Sequence, residues 1–208
     1  DGPAESMWDE ILAGPAESVD LLLQLAYPDH QWRMWERLRE RYPDAWSEIC
    51  GTLILSHQSL IRDRLTEWLR AERHEAILSD LAKKVALEPR EYPEAFAWFS
   101  DQVLLGNRQD VSMGIDAPVL FERLLMLVDF LNDRAKRVEK TEAAILRASA
   151  AQVRNVLKKD DFAILDKILP NIDRSVALSL YKRANLNSGL DVGAREKITR
   201  RILARFPG

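Results

Sequence analysis

The residues of this chain that can do chemistry are few, and their spacing argues against most of it. Histidines stand at 30, 57 and 74, and the only cysteine is Cys50. A metal centre needs convergent ligands, and no HExxH, CxxC or pair of histidines four residues apart is present. The stretch "NLNSGLDVGARE" (185–196) has the polar look of a calcium loop. However, Gly189 falls at its fifth position instead of the sixth, and Asn185 rather than an Asp opens it. Ser56 and His57 are neighbours, yet adjacent residues on a helix face different ways, and no GxSxG elbow accompanies them. The 8 glycines form neither GxxxxGK nor GxGxxG, so no phosphate cradle is written. Among the 33 acidic residues no placement marks a catalytic carboxylate pair. The expectation is a non-enzyme with no catalytic residue, no metal and no cofactor, its histidines partly exposed surface residues.

Binding chemistry is better represented. Residues 134–208 carry 17 Lys and Arg against 8 Asp and Glu, while 1–133 carry 13 against 25. The net charge of −3 thus hides a basic end and an acidic remainder. Such polarity bears on association, not on fold. "LNDRAKRVEK" (131–140) sets Arg134, Lys136, Arg137 and Lys140 on a solvent arc of one expected helix. "REKITRRILARF" (195–206) sets Arg195, Arg201 and Arg205 on one side and Lys197 and Arg200 on another, with Ile198, Ile202, Leu203 and Phe206 on the buried stripe. The expected contacts for a partner are Arg134, Lys136, Arg137, Lys140, Lys158, Lys159, Arg200 and Arg201. Well-solvated helix faces rank ahead of a contact with nucleic acid or an acidic protein surface, because the cations spread over several helices; of the two partners, protein ranks ahead of nucleic acid. Trp32 and Trp35 interleave with Arg33, Arg37, Arg39 and Arg41, a pattern that can stack bases. Core packing is the stronger reading, since large aromatics fill the space between paired helices and this part of the chain is acidic.

The elements that must position these residues are helices. In "LSHQSLIRDRLTEWLRAE", Leu60, Ile61, Leu65, Trp68 and Leu69 share a stripe, while Arg62, Asp63, Arg64 and Glu67 fill the other side. In "VLFERLLMLVDFLNDR" the stripe is Leu120, Leu124, Leu127, Val128 and Leu131. No segment alternates with a period of two, so no strand is expected. "AYPDHQW" (26–32), "RYPDAW" (41–46) and "EYPEAF" (91–96) repeat one word, and "RFPG" closes the chain. Proline pushes the residue before it out of the helical region and can itself open the next helix, with the acid in its first turn. The word is therefore punctuation. "GPAES" at 2–6 and 14–18 reads as a helix start, Asp116 as an N-cap with Pro118 just inside, and Asn187–Gly189 as a stop before a restart at Asp191.

The helices expected are 5–12, 16–26, 29–41, 43–55, 58–71, 73–86, 92–105, 117–133, 135–148, 150–157, 160–168, 172–186 and 192–206. The fold class is all-α: an irregular, solenoid-like array of antiparallel pairs in the manner of HEAT and tetratricopeptide proteins, about 12–13 helices in all. It forms one domain over 1–208, with sub-bundles at 1–106 and 116–208 divided by "GNRQDVSMGID".

A chain of 208 residues can bury a core without staples. A lone cysteine points to a reducing compartment. The densest apolar stretch, "LLMLVDFL" (124–131), is far short of a membrane span, and the N-terminus lacks a signal-peptide layout. The expected location is cytoplasmic, with no membrane partner. From the start without Met and the abrupt end, a piece excised from something longer is expected.

Residues 156–208, from "VLKKDDF" to "RILARFPG", together with "EYPEAFAWFSDQVLLG" (91–106), resemble the long helical region that precedes the coiled coil in extended Gre-type transcript cleavage factors, the GreA/GreB class. The residues that carry the resemblance are Arg195, Ile198, Ile202, Phe206 and Pro207. In that family an acidic coiled-coil tip places a metal at the RNA polymerase active centre. Nothing in this chain matches that tip, so no functional residue carries over. The resemblance implies a non-catalytic, all-helical extension that docks or regulates at RNA polymerase.

Overall fold

The computed structural model of the chain describes residues 28–55, 59–106 and 111–207, with side chains from Trp35 onward except at 59 and 60. The helices expected at 5–12 and 16–26, both "GPAES" starts, the Ser56-His57 pair and the side chains of His30 and Trp32 lie outside the described residues. Among the described residues there are nine α-helices and no strand: α1 Pro28–Arg41, α2 Trp46–Leu55, α3 Ser59–Ala71, α4 Glu75–Leu87, α5 Pro93–Leu104, α6 Ala117–Arg134, α7 Lys140–Ile168, α8 Arg174–Leu186 and α9 Val192–Arg205. A 3-10 turn, Leu169–Asn171, follows α7. The all-α class expected from the periodicity is what the chain adopts. The chain forms two compact units that divide at Leu78/Ser79, inside α4.

The first unit is built on tryptophan. Trp35 on α1 and Trp68 on α3 lie with ring centroids 6.0 Å apart, and Trp46 on α2 meets Trp68 edge-on at 5.6 Å. All three are buried, so the aromatics are core. Offset and edge-on pairs add about 0.5–1.5 kcal/mol each beyond area burial. Arg39 lies over the outer face of Trp68 at 5.3 Å and pairs with Glu72 at 3.4 Å. Arg62, which the helical wheel assigned to the solvent side, is instead buried and donates from Nε to the Ile54 carbonyl at 2.8 Å. The last turn of α2 leaves carbonyls without helical partners. A guanidinium answers both the orphan acceptor and the negative end of the helix dipole.

Cys50 sits in the same core, and burial pushes its thiol up to about 12. A thiol held that far from ionisation is a poor nucleophile. Alkylation of the native protein is therefore expected to run at the rate of unfolding of this unit and to become immediate in denaturant. Labelling at the rate of a free thiol would place Cys50 at the surface instead.

Helix α3 ends in a Schellman motif with an unusual occupant. His74 N–H bonds the Leu69 carbonyl at 2.7 Å, Arg73 N–H bonds the Arg70 carbonyl at 3.1 Å, and Arg73 takes φ 60°. That left-handed position is glycine's by preference, and an L-residue there costs about 1–2 kcal/mol. Arg73→Gly is expected to raise stability by up to about 1 kcal/mol. A chemical-denaturation midpoint that does not rise would contradict it.

In the second unit α6 and α7 pack against each other, with α5 on α7 and α8 on α6. The expected α6 stripe is the observed one: Leu120, Leu124, Leu127, Val128 and Leu131 are all buried. Each contributes about 1.5–3 kcal/mol of transfer free energy. Asp116 and Asp191 take their expected N-cap positions, and Asp191 accepts from Ala194 N–H at 2.7 Å. The Asp116 side chain makes no such bond.

Three expectations need correction here. Residues 135–139 form a turn, not a helix start, because α6 stops at Arg134 to let α7 fold back on it; "RAKRVEK" has helix-forming composition, and tertiary packing overrode it. The break expected at 149 is absent, and α7 runs on because Ala143, Ala150, Val153 and Leu157 keep one buried stripe. Leu203 is exposed, since the covered stripe of α9 is Ala194, Ile198 and Ile202 and Leu203 lies about 100° round from the last of these.

Proline opens the next helix as expected at Pro28 and Pro93, but not at Pro43. Pro93 opens α5 directly, and Phe96 is fully buried. Glu94 is buried too and accepts from Ser149 Oγ at 2.9 Å, tying α5 to α7. At 41–46 the helix begins three residues after Pro43, at Trp46, and Asp44 is exposed.

Candidate docking groove

Seven of the eight cations singled out above fall into two places. Arg134, Lys136, Arg137 and Lys140 surround the α6–α7 corner, not one helical arc. Arg134 pairs with Glu142 at 3.1 Å and Arg137 with Asp133 at 2.6 Å, while Lys136 and Lys140 are exposed. Lys158, Lys159 and Arg201 lie at the far end of the long helix, about 28 Å along its axis at 1.5 Å per residue. There α7 breaks: Lys159 is extended, and Asp160, Asp161 and Phe162 take φ of 48°, 54° and 67°. The break is held from both sides. Phe162 is buried, and Asp161 receives Lys197 at 2.7 Å and Arg201 at 2.8 Å. Arg201 also bonds Asp166, Lys158 bonds Asp191, and Lys159 bonds Asp101 at 2.8 Å.

These pairs set the local charge states. The Lys197 bond, joined by Arg201, holds the Asp161 carboxyl below the usual carboxylate range. Lys158 and the Ala194 N–H do the same for Asp191. Asp166 raises Arg201 further above its ordinary value. Other cations cap helix ends: Lys167 Nζ donates to the Leu104 carbonyl at 2.9 Å, and Arg123 donates to Ala86 O. Arg200 is exposed. Of the eight, Lys136, Lys140 and Arg200 alone make no ion pair among the described residues, so five of the eight are spent within the fold.

A different surface stands out. A cleft of ≈ 640 Å³ lies between the outer faces of α6 and α8 and the turn after α8. A second hollow of ≈ 440 Å³, under the 87–91 turn, shares Arg90 and Met126 with it. Leu186 is 82% exposed, Leu87 81% and Met126 39%. Phe130 forms part of the wall with the Arg90 guanidinium 4.5 Å above its ring.

The cleft is held rigidly from behind. Asn187 Nδ2 donates to the Leu125 carbonyl at 2.6 Å, and Ser188 donates from N and Oγ to Asp129 at 3.0 and 2.7 Å. Gly189 lies so close to α6 that a Cβ would stand 2.6 Å from Val128 Cγ1 and 2.8 Å from its carbonyl. Arg154 donates to the Gly189 carbonyl at 3.1 Å, and Arg183 pairs with Glu122 at 2.7 Å.

Sequence reasoning missed this surface. Its signal was there: Leu186 falls off the Ala177, Leu180 and Ala184 stripe of α8, and Met126 off the core stripe of α6. An apolar residue off the core stripe is either incidental or offered to something else, and only the neighbourhood of such residues decides. Apolar walls with a charged rim suit a protein side-chain surface.

Among the described residues no group of His, Cys, Asp and Glu is arranged to hold a metal, and no helix is long and apolar enough to cross a membrane. No curated protein and no solved structure matches the chain. The family model described as GreA-associated C-terminal domain matches residues 6–193, nearly the whole chain. That agrees with the tie to GreA-class proteins read from the C-terminal helices and from "EYPEAF", and the chain belongs to the GreA-associated C-terminal domain family.

Proposed function

We propose that this chain is a non-catalytic protein-interaction module, an accessory helical domain of a Gre-type transcription elongation factor that acts at RNA polymerase. The observation that carries the reading is the family match across residues 6–193. An apolar, rigidly backed cleft beside exposed leucines supports a docking role. Accessory status in this sense asks no nucleophile or metal of the chain. Whether the domain precedes the coiled coil of a long factor, as the C-terminal helices suggested, is part of the same proposal.

The test is direct. The purified chain is titrated into the catalytic part of a Gre-type factor, alone and bound to RNA polymerase. Saturable binding at micromolar or lower concentration is expected, and no binding to either overturns the reading. The rival reading is nucleic-acid binding through Arg134, Lys136, Arg137, Lys140, Lys158, Lys159, Arg200 and Arg201. It predicts RNA or DNA affinity that falls steeply with salt. The internal ion pairs of Arg134, Arg137, Lys158, Lys159 and Arg201 weigh against it.

A further inference from the structure

The cleft and the adjoining hollow form one trough, since Arg90 and Met126 line both. Its apolar surface is not a by-product of core packing. Leu87 and Leu186 are among the most exposed large apolar residues of the described chain, and each ends a helix whose core stripe lies elsewhere. Two helices with a furrow between them can seat a third at the usual spacing of 8–10 Å. No sheet edge exists among the described residues to which a strand could add, so an extended peptide finds no ladder here.

The charges around the trough select the occupant further. Arg183 is committed to Glu122, Asp133 to Arg137, and Asp129 accepts two hydrogen bonds from Ser188. Arg90 and Lys182 remain without a carboxylate partner among the described residues, and both line the cleft. Arg90 spends only the face of its guanidinium on Phe130 and keeps its N–H edge for an acceptor. Glu88 and Glu91 line the hollow and are exposed. The trough thus carries an apolar floor, with Lys182 in the cleft, Glu88 and Glu91 in the hollow, and Arg90 where the two meet; Arg123, also in the hollow, is committed to the Ala86 carbonyl.

We propose that this trough seats a single amphipathic α-helix from the catalytic part of the Gre-type factor. The helix lays apolar residues at i, i+3 or i+4, and i+7 against Met126, Phe130, Leu87 and Leu186. It sets a carboxylate against Arg90 and Lys182 and a basic residue against Glu88 and Glu91. The inference rests on the proposed function for the identity of the partner and adds the site, the mode and the polarity of docking.

Binding of the purified catalytic part of the Gre-type factor is measured by titration calorimetry with the whole chain and three variants. Leu186→Asp and the double variant Arg90→Glu with Lys182→Glu each weaken binding by at least about tenfold, the scale of a central interface contact. Lys140→Glu, whose side chain does not line the trough, leaves the affinity within about twofold, as a charge outside the interface does. All altered side chains are exposed, and thermal melts matching the parent establish that the variants fold. If the parent binds and the trough variants bind as well as it does, the docking mode is overturned while the proposed function stands. If the parent does not bind the factor, the docking mode falls, and the proposed function falls with it only if the polymerase-bound factor is not bound either. A concentration-dependent dimer that Leu186→Asp abolishes would assign the trough to a second copy of this chain and overturn the proposal, as would RNA affinity lost only in the charge-reversed variant.

Discussion

Gly189→Ala lowers the stability of the second unit by about 1–3 kcal/mol, the range of an overpacked core. The added methyl would stand 2.6 Å from Val128 Cγ1, 2.7 Å from Asn132 Nδ2 and 2.8 Å from the Val128 carbonyl. Side-chain ends can swing away, but the carbonyl belongs to the backbone of α6, and moving it strains a helix whose inner face is fully packed. The displacement would also pull on Asn187 and Ser188, which hold the turn to Leu125 and Asp129. Urea denaturation followed by helical circular dichroism reads the loss directly. A second consequence separates this account from generic destabilisation: Leu186 rides on the same turn, so binding at the trough weakens even at temperatures where the variant is folded. An unchanged denaturation midpoint would mean that the close approach at Gly189 does not constrain the fold.

Arg62→Ala has the second large effect, about 2–4 kcal/mol on the first unit. Truncation strands a buried carbonyl at the end of α2, which costs about 1–3 kcal/mol, and it leaves a cavity whose cost adds to that. The bond in question is the 2.8 Å contact from Arg62 Nε to Ile54 O. Two further variants divide the effect. Arg62→Met retains most of the volume and loses the donor, so it should fall between alanine and the parent. Arg62→Lys keeps a charge but loses the planar fork, and it should not restore the parent value. Tryptophan fluorescence is a suitable probe, since Trp35, Trp46 and Trp68 all belong to this unit's core. If Arg62→Ala melts with the parent, the buried cap contributes nothing and the helical wheel had the residue right.

Arg62 and Leu203 show where periodicity stops being informative. A wheel sorts residues by type, and Arg falls outside by type. Whether a helix end nearby leaves a carbonyl in need of a donor is a fact of tertiary packing, because Ile54 and Arg62 meet across two helices. Leu203 is apolar and adjoins Ile202, but the face that α9 turns to its neighbours is set by Ala194, Ile198 and Ile202. The candidate site suffered from the same limit. The cations were legible as residues, yet their charge is largely answered by Glu142, Asp133, Asp191, Asp101, Asp161 and Asp166, some of them distant in sequence. The trough was not legible, because it is made of residues that a core-stripe reading discards.

What the amino-acid order determined by itself was local. The 3.6-residue period excluded strands, and proline and the N-cap aspartates set helix starts at Pro93, Ala117 and Val192. The tryptophans were assigned to the core by their place on apolar stripes. These outcomes depend on backbone sterics and on residues within a turn or two of each other, which a one-dimensional reading can see. Tertiary structure alone decided where α6 stops and α7 begins, which cations are spent inside the fold, and which leucines are left over. Apart from Arg137 with Asp133 and Arg134 with Glu142, the pairs that spend those cations lie 33 to 63 residues apart, such as Lys158 with Asp191 and Lys167 with Leu104. No spacing in the chain specifies such a pair until the helices have packed.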